Sequence, residues 1–318
     1  MQEAPPLDNT YDGYALLIEA CKGREPIACA VVHPCDEISL MGAIDAARAG
    51  LISPILIGPQ KKIRAVAEQQ AIDLSSYRIV DVEHSHAAAA KGVELVRAGE
   101  AEALMKGSLH SDELLGAVIH PTTGLRTERR ITHCFVMDVP TYPKPLIISD
   151  GAVNIAPDLK TKRDICQNAI DLALVLGISE PKVAILSAVE VVNPAIPSTI
   201  DAAALCKMAD RGQITGGLLD GPLAFDNAIS IEAARTKKIV SPVAGQADIL
   251  VVPDLESGNM LAKQLTFLAR AEAAGIVLGA KVPIILTSRA DSVRARMASC
   301  AIAVLMVYAR KSQLANRE

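Results

Sequence analysis

The sequence predicts an α/β protein of two domains, built on mainly parallel sheets with helices on both faces. Its 318 residues exceed the usual size of one domain and are enough for two hydrophobic cores. Short apolar runs alternate with longer stretches of helical periodicity, which is the pattern of βα units in a parallel sheet. Glycines such as Gly50 and Gly177 stand just past several of the periodic stretches, where helices commonly end.

The elements of the first half follow from these patterns. Strands are predicted at 27–32, 54–58, 103–106, 134–139 and 145–149. Helices are predicted at 36–49, 59–69 and 112–118, the last with Ser111 as its cap.

The pattern changes after Asp150, in the part of the chain expected to form the second domain. Helices are predicted at 158–176, 198–210, 228–238, 258–274 and 291–309. Strands are predicted at 183–186, 214–219, 247–252 and 282–287.

Composition excludes several classes of function. The chain has five Tyr, three Phe and no Trp, and its net charge is −4, so it lacks the aromatic and basic surface that nucleic acid binding requires. The longest apolar run, 297–308, is too short to cross a bilayer. The amino terminus is polar, and seven Cys are scattered without close pairs, which predicts reduced thiols and a cytoplasmic protein. Small-molecule chemistry is the class that remains.

Ligands of open α/β sheets bind at the carboxyl ends of strands, where helices begin. Ser288 and Arg289 leave the last predicted strand just before a helix that Asp291 or Ser292 can cap. A hydroxyl and a guanidinium at this position suit phosphate. The alternative is an ordinary helix cap followed by a solvated arginine.

Two further segments carry cations. Lys106 and Ser108 flank a glycine after a strand, so this segment either cradles a phosphate or is a plain loop. Arg126 lies in a segment with two more arginines, which suits an oxyanion clamp or a solvated charged turn. No P-loop motif occurs anywhere in the chain.

Two junctions present polar groups without a cation. Asp150 and Asn154 follow a strand where the domains are expected to meet, and such boundaries favour ligand sites. Ser257 and Asn259 stand at a helix start, although the same residue types also form tight turns. The neighbouring His33 and Cys35 are interpreted as a turn with a buried thiol. No residues show the spacing of a metal site.

Taken together, these segments resemble the phosphotransacylase family of phosphate acetyltransferases and phosphate butyryltransferases. The resemblance covers nearly the whole chain and rests on the order of the segments rather than on any one of them. The segments are Val31-Val32-His33-Pro34, Pro54-Ile55-Leu56-Ile57-Gly58, Met105-Lys106-Gly107, Gly124-Leu125-Arg126-Thr127, Asp220-Gly221-Pro222-Leu223, Ala247-Asp248-Ile249-Leu250-Val251-Val252-Pro253-Asp254 and Leu286-Thr287-Ser288-Arg289.

The resemblance implies a reversible reaction in which acyl-CoA and phosphate give acyl phosphate and CoA. It implies an architecture like that of isocitrate and isopropylmalate dehydrogenases, with an active-site cleft between a first domain of 1–138 plus 286–318 and a second domain of 139–285. A homodimer or a higher homo-oligomer is expected. The expected partners are CoA, acyl-CoA, phosphate and acyl phosphate, with no nucleic acid, membrane, metal or additional cofactor.

The resemblance also assigns roles to residues. Ser288 and Arg289 match the family's Ser-Arg pair for CoA and phosphate, and Arg126 is expected to make a second phosphate contact. The other residues expected to bind substrate are Lys106, Ser108, Asn154, Ser257 and Asn259.

Two positions depart from the family pattern. Some acetyltransferase members carry an Asp, proposed as the thiol base, where this chain has Ala295, and many carry an Arg where it has Gly116. The base therefore stays open between Asp291 and Asp150, both chosen on position.

Two other functions remain in competition. One is a metal- and NAD-dependent hydroxyacid dehydrogenase on a related fold, and the other is a non-catalytic CoA-binding homologue. The sequence does not determine the acyl chain length.

Overall fold

The structure, a computed structural model, describes residues 13–287 and 291–315 as a mixed α/β fold. The described strands are β1 Ile27–Val32, β2 Ile52–Gly58, β3 Arg78–Asp81, β4 Ala103–Lys106, β5 Thr132–Asp138, β6 Leu146–Ser149, β7 Lys182–Leu186, β8 Leu218–Leu223, β9 Ile249–Val251, β10 Glu272–Leu278 and β11 Ile284–Ile285. The described helices are α1 Gly13–Ala20, α2 Glu37–Arg48, α3 Gln60–Gln69, α4 Ser85–Arg97, α5 Ser111–Val118, α6 Leu159–Val175, α7 Pro197–Asp210, α8 Phe225–Ile229, α9 Ile231–Thr236, α10 Leu255–Leu268 and α11 Val293–Ala315.

The chain divides into two compact units. Unit I comprises Leu17–Ile131 and the described residues from Ala274 onward, and unit II comprises residues 13–16 and Thr132–Ala273. The domain boundaries expected from the sequence, which separate 1–138 with 286–318 from 139–285, stay a prediction.

The strands of unit I lie in the order β3-β2-β1-β4-β11-β10. The first five are parallel to one another, whereas β10 runs antiparallel to β11. Parallel neighbours bring their carboxyl ends to the same edge of a sheet, so the residues that follow β1, β4 and β11 share one edge.

Continuous apolar runs form the inner strands because helices cover both faces of a parallel sheet. In β1 every residue from Cys29 to Val32 is fully buried. Burying a Val side chain contributes about 1.5–3 kcal/mol, so Val31 and Val32 help to fix this strand at the centre of unit I.

The strands of unit II lie in the order β5-β6-β9-β7-β8. Here β5 is antiparallel to β6, and the remaining pairs are parallel. Ser149 at the end of β6 pairs with Val251 at the end of β9. The loops that carry Asp150 and Asp254 therefore leave adjacent strand ends.

Side-chain caps start several helices where the sequence indicates them. The carboxylates of Asp36, Asp158 and Asp254 accept hydrogen bonds from backbone N–H groups of the first turns of α2, α6 and α10. The cap predicted for α5 was wrong by one residue. His110 holds the cap position and donates its backbone N–H to Glu113 Oε1 at 3.3 Å, so Ser111 is already helical.

Two predicted helices differ from the structure. The helix expected over 258–274 ends at Leu268, and the Ala-rich segment that follows forms β10, because pairing with β11 overrides its helical propensity. The helix expected over 228–238 is divided at Ser230 into α8 and α9. Strand β3 and helix α4 were not predicted.

The strand expected over 214–219 lies instead at Leu218–Leu223 and contains Gly221 and Pro222. A Gly-Pro pair is typical of a turn, because proline cannot donate a ladder hydrogen bond. In this protein β8 comes last in the strand order of unit II, and an edge strand tolerates proline.

Within residues 13–287 and 291–315, no helix combines the length and the apolarity that crossing a bilayer requires.

Candidate active site

Three strand ends converge at one edge of unit I. In the ladder β1–β4, Val32 pairs with Lys106, and in the ladder β4–β11, Met105 pairs with Ile285. The chain therefore leaves β11 toward Thr287 beside the segment that begins at Lys106. Ser288 and Arg289 come next in the chain and lie outside the described residues.

Gly107 is fixed by its close approach to the neighbouring strand end. Its N–H donates to the Val32 carbonyl oxygen at 2.9 Å. A Cβ at this position would lie 2.5 Å from the His33 carbonyl oxygen and even closer to that of Val32. The backbone can pass here only because the residue has no side chain.

The Ser108 hydroxyl is bound to the turn after β1. It donates to the His33 carbonyl oxygen at 2.8 Å, and it accepts the backbone N–H of Cys35 at 3.3 Å. The His33 Nδ1 atom lies 3.0 Å from the same oxygen. Ser108 thus ties together two neighbouring strand ends of this edge.

Arg126 lies elsewhere in unit I. Its backbone forms an antiparallel bridge with Ala280, and Lys281 donates its N–H to the Leu125 carbonyl oxygen at 2.9 Å. The residues 279–283 join β10 to β11 and so precede β11, whereas Lys106 stands at the carboxyl end of β4. The backbones of Arg126 and Lys106 therefore lie at opposite edges of the sheet, and the exposed Arg126 side chain starts from the edge away from Ser108.

Asp150 organises the loop after β6 in unit II. Its Oδ1 accepts the N–H groups of Ala152 and Val153 at 2.9 and 3.0 Å. Its Oδ2 accepts the backbone N–H and the side-chain amide of Asn154 at 3.2 and 2.6 Å. Burial raises the pKa of this carboxyl group, and the four hydrogen bonds counteract only part of that effect.

The start of α10 packs against the Asp150 loop. The Asn259 side chain donates to the Gly151 carbonyl oxygen at 3.1 Å, and a Cβ on Gly258 would lie 3.0 Å from the Gly151 Cα. Unit II thus brings Asp150, Asn154 and Asn259 together. The Ser257 hydroxyl donates to Asp254, whose side chain caps the helix, so Ser257 contributes to the helix start.

Asp291 stands just before α11. The Arg296 guanidinium donates to the Asp291 carbonyl oxygen at 2.5 Å, and the Ser292 hydroxyl accepts the N–H of Ala295 at 3.0 Å. Of the two caps predicted for this helix, Ser292 therefore holds the first turn.

The comparisons with known proteins settle the family. The family model described as "Phosphate acetyl/butaryl transferase" matches residues 85–304. The chain belongs to this family.

Individual proteins that are similar to this chain support the assignment. The chain is 65% identical to the phosphate acetyltransferase of Rhizobium meliloti over 94% of this chain and 95% of the relative. It is 41% identical to the phosphate butyryltransferase of Clostridium acetobutylicum over 91% of this chain and 96% of the relative. Among solved structures, the branched-chain phosphotransacylase of Enterococcus faecalis V583 is 30% identical, with a TM-score of 0.77, covering 89% of this chain and 99% of that chain.

Ala295 and Gly116, the two positions that depart from the family pattern, have different surroundings. Ala295 is buried in the first turns of α11, and its carbonyl oxygen accepts the Ser299 hydroxyl at 3.0 Å. Gly116 lies on the exposed side of α5, and a Cβ there would meet nothing within 4 Å. A larger residue at position 116 would thus fit without rearrangement.

Two histidines gain importance only in the folded protein. His33 was interpreted from the sequence as part of a turn, although it directly follows a strand that ends at the candidate site. His133, on β5, is fully buried, and its ring contacts that of Phe135 with 4.3 Å between centroids. Its Nδ1 has no hydrogen-bond partner in the described part of the chain. Burial lowers the pKa of His133 to about 3, so the ring is neutral at physiological pH.

Proposed function

We propose that this enzyme interconverts acetyl-CoA and phosphate with acetyl phosphate and CoA. Membership of the phosphate acetyl/butyryltransferase family gives the reaction class. The single observation that carries the choice of acyl group is the much higher identity to the phosphate acetyltransferase of Rhizobium meliloti than to the phosphate butyryltransferase of Clostridium acetobutylicum.

The reaction requires cations for phosphate and for the oxyanion that develops at the acyl carbonyl oxygen. We assign phosphate to Lys106, Ser288 and Arg289. The position of Lys106 beside the segment that leads into residue 288 supports this assignment. An ammonium and a guanidinium together supply the charge that a phosphate dianion needs.

We retain Arg126 as a second phosphate contact and Ser108 as a substrate-binding residue, on the family resemblance alone. The Ser108 hydroxyl is bound to the His33 turn, so its contribution comes through the shape of that turn.

We assign CoA contacts to Asn154, Ser257 and Asn259 of unit II. The hydrogen bonds that join Asn259 to the Asp150 loop support a role as one group. Asp150 is included as the residue that holds the loop, because its four accepted hydrogen bonds engage both carboxylate oxygens.

The chemistry uses CoA as a substrate and needs no additional cofactor. A cytoplasmic location fits a reaction that uses CoA. It also fits the cysteines, which are scattered through the sequence without close pairs. We further propose a homodimer or a higher homo-oligomer, with no nucleic acid or membrane partner.

Thiol release from acyl-CoA substrates of two to six carbons, measured with and without phosphate, tests the proposed function. We expect phosphate-dependent release that is fastest with acetyl-CoA and is strongly reduced in Arg289→Ala. Absence of release with every acyl-CoA would refute the proposal. Binding of CoA by calorimetry without turnover would then identify a non-catalytic homologue, and NADH formation from a hydroxyacid and Mg²⁺ would identify a dehydrogenase.

A further inference from the structure

His33 occupies a strained position at the edge of unit I where the candidate site lies. It directly follows β1, and its backbone φ of +57° is in the left-handed region, which costs a histidine of order 1–3 kcal/mol. The surroundings hold the residue there. The His33 N–H donates to the Ile57 carbonyl oxygen at 2.6 Å, and the His33 carbonyl oxygen accepts the N–H groups of Cys35 and Ser108, each at 2.9 Å.

Ser108 holds one edge of the His33 ring. The Ser108 oxygen lies 2.8 Å from the His33 carbonyl oxygen and 3.0 Å from His33 Nδ1. In the tautomer in which the hydroxyl donates to the carbonyl oxygen, Nδ1–H donates to the Ser108 oxygen and Nε2 carries the lone pair.

Burial is the main reason why the His33 ring is neutral. Burial and the nearby Lys62 ammonium lower its pKa below the ordinary value of 6.5, and the carboxylates of Glu113 and Asp36 offset only part of that effect. At neutral pH the ring is thus an unprotonated base.

The strand register places this base beside Lys106, which is assigned to phosphate. Because Val32 pairs with Lys106, His33 comes opposite Gly107, in the row of strand ends that continues to Thr287.

We propose that His33 is the base that takes the thiol proton of CoA, an inference that rests on the proposed acyltransferase function. In the direction that forms acyl-CoA, the S–H bond breaks and Nε2 gains the proton. The sulfur then bonds to the acyl carbon, whose bond to the phosphate oxygen breaks, and phosphate leaves with that electron pair. In the reverse direction, the imidazolium returns the proton to the departing thiolate. A thiol pKa of about 8.5 leaves little thiolate at pH 7 without such a base.

The variant His33→Asn tests the proposal with little disturbance of the fold. Asparagine tolerates the left-handed backbone, and its side-chain N–H can replace Nδ1–H as a donor to Ser108. It has no titrating nitrogen. We expect kcat for acetyl-CoA synthesis from acetyl phosphate and CoA to fall about 100-fold or more, while KM for CoA changes less than about threefold and the midpoint of thermal unfolding changes little.

The pH profile separates a proton-transfer role from a structural one. In the wild type, kcat/KM should fall on the acid side as His33 becomes protonated, and this limb should vanish in His33→Asn. The matched control is His84→Asn, because His84 caps α4 and asparagine is itself a favoured cap; its rate and pH profile should equal those of the wild type.

Three outcomes are distinguishable. A wild type with no activity on any acyl-CoA refutes the proposed function itself. An active wild type with His33→Asn retaining both its rate and its acid limb refutes only the role of His33. Loss of the acid limb in Asp291→Asn, with His33→Asn unaffected, would assign the base to Asp291.

Discussion

The shortest hydrogen bond to the Asp150 carboxylate comes from the side chain of Asn154, whose amide nitrogen lies 2.6 Å from Oδ2. The backbone N–H of Asn154 donates to the same oxygen at 3.2 Å. Asn154 therefore donates twice to the same oxygen and closes the loop after β6. The Asn259 side chain binds this loop by donating to the Gly151 carbonyl oxygen. The shape of this loop therefore depends on a single buried carboxylate.

Asp150→Asn should destabilise the protein. The amide group replaces one carboxylate oxygen with a donor, so it faces other donors in the loop and loses accepted hydrogen bonds at constant volume. We expect the free energy of unfolding to fall by about 2–4 kcal/mol, measured by urea denaturation. Asp210→Asn is the control, because Asp210 belongs to an exposed ion pair with Lys207 and should cost less than about 1 kcal/mol. Equal stabilities of the two variants would contradict this account of the loop.

Gly107→Ala should disrupt the edge of unit I. The added Cβ would collide with the carbonyl oxygens of Val32 and His33, so either the strand end or the His33 turn must move. We expect a loss of more than about 2 kcal/mol of stability and a large loss of activity. Gly116→Ala on the exposed face of α5 is the matched control, and it should stabilise the protein by up to about 1 kcal/mol because alanine is the better helix former. Normal stability of Gly107→Ala would show that the close approach is not required.

Lys106→Ala and Arg126→Ala should differ in their effect on phosphate. Lys106 stands at the carboxyl edge of β4, whereas the Arg126 backbone lies beside the turn that precedes β11. We expect KM for phosphate to rise at least about tenfold in Lys106→Ala, because this variant loses one charge-assisted contact. The rise in Arg126→Ala should be smaller. Arg310→Ala, on the exposed part of α11, controls for the loss of one positive charge. A larger effect of Arg126→Ala would instead place the phosphate site at the sheet edge where the Arg126 backbone lies.

His133 should make stability depend on pH. Its folded-state pKa is depressed to about 3 by burial, against 6.5 for the free group, so below pH 6.5 the unfolded chain binds a proton that the folded protein does not. The contribution of His133 to the free energy of unfolding is complete above pH 6.5. It falls by about 1.4 kcal/mol per pH unit as the pH drops toward 3. Urea unfolding of wild type and His133→Gln between pH 7.5 and 4.5 should show the shallower dependence in the variant. His86→Gln, at a side chain that is 74% exposed, should retain the wild-type slope.

Much of the fold was predictable because the inner strands are encoded locally. The run from Ile27 to Val32 is apolar, is followed by a capping Asp36, and forms β1 within the predicted bounds. The elements that failed depend on distant partners. The segment after Leu268 is rich in alanine and becomes β10 only because β11 pairs with it, and β8 accepts Pro222 because it is an edge strand of unit II.

The candidate site was predictable as a list of segments but not as a geometry. Lys106 and Asn259 could be chosen because they follow strands or begin helices. Nothing local indicated that Ser108 would bind the His33 turn, since the two residues are far apart in the chain and meet only through the pairing of β1 with β4.

The sequence by itself determined the α/β class, the family and the reaction that the family performs, because apolar periodicity and ordered motifs are properties of the chain. Only the tertiary structure decided which of the candidate residues are neighbours. The parallel register set His33 beside Lys106 and moved the backbone of Arg126 to the opposite edge, and the hydrogen-bond supply around Asp150 made it a loop anchor. Proximity and protonation state arise from the packing of segments that are remote in sequence, so no reading of one segment can reveal them.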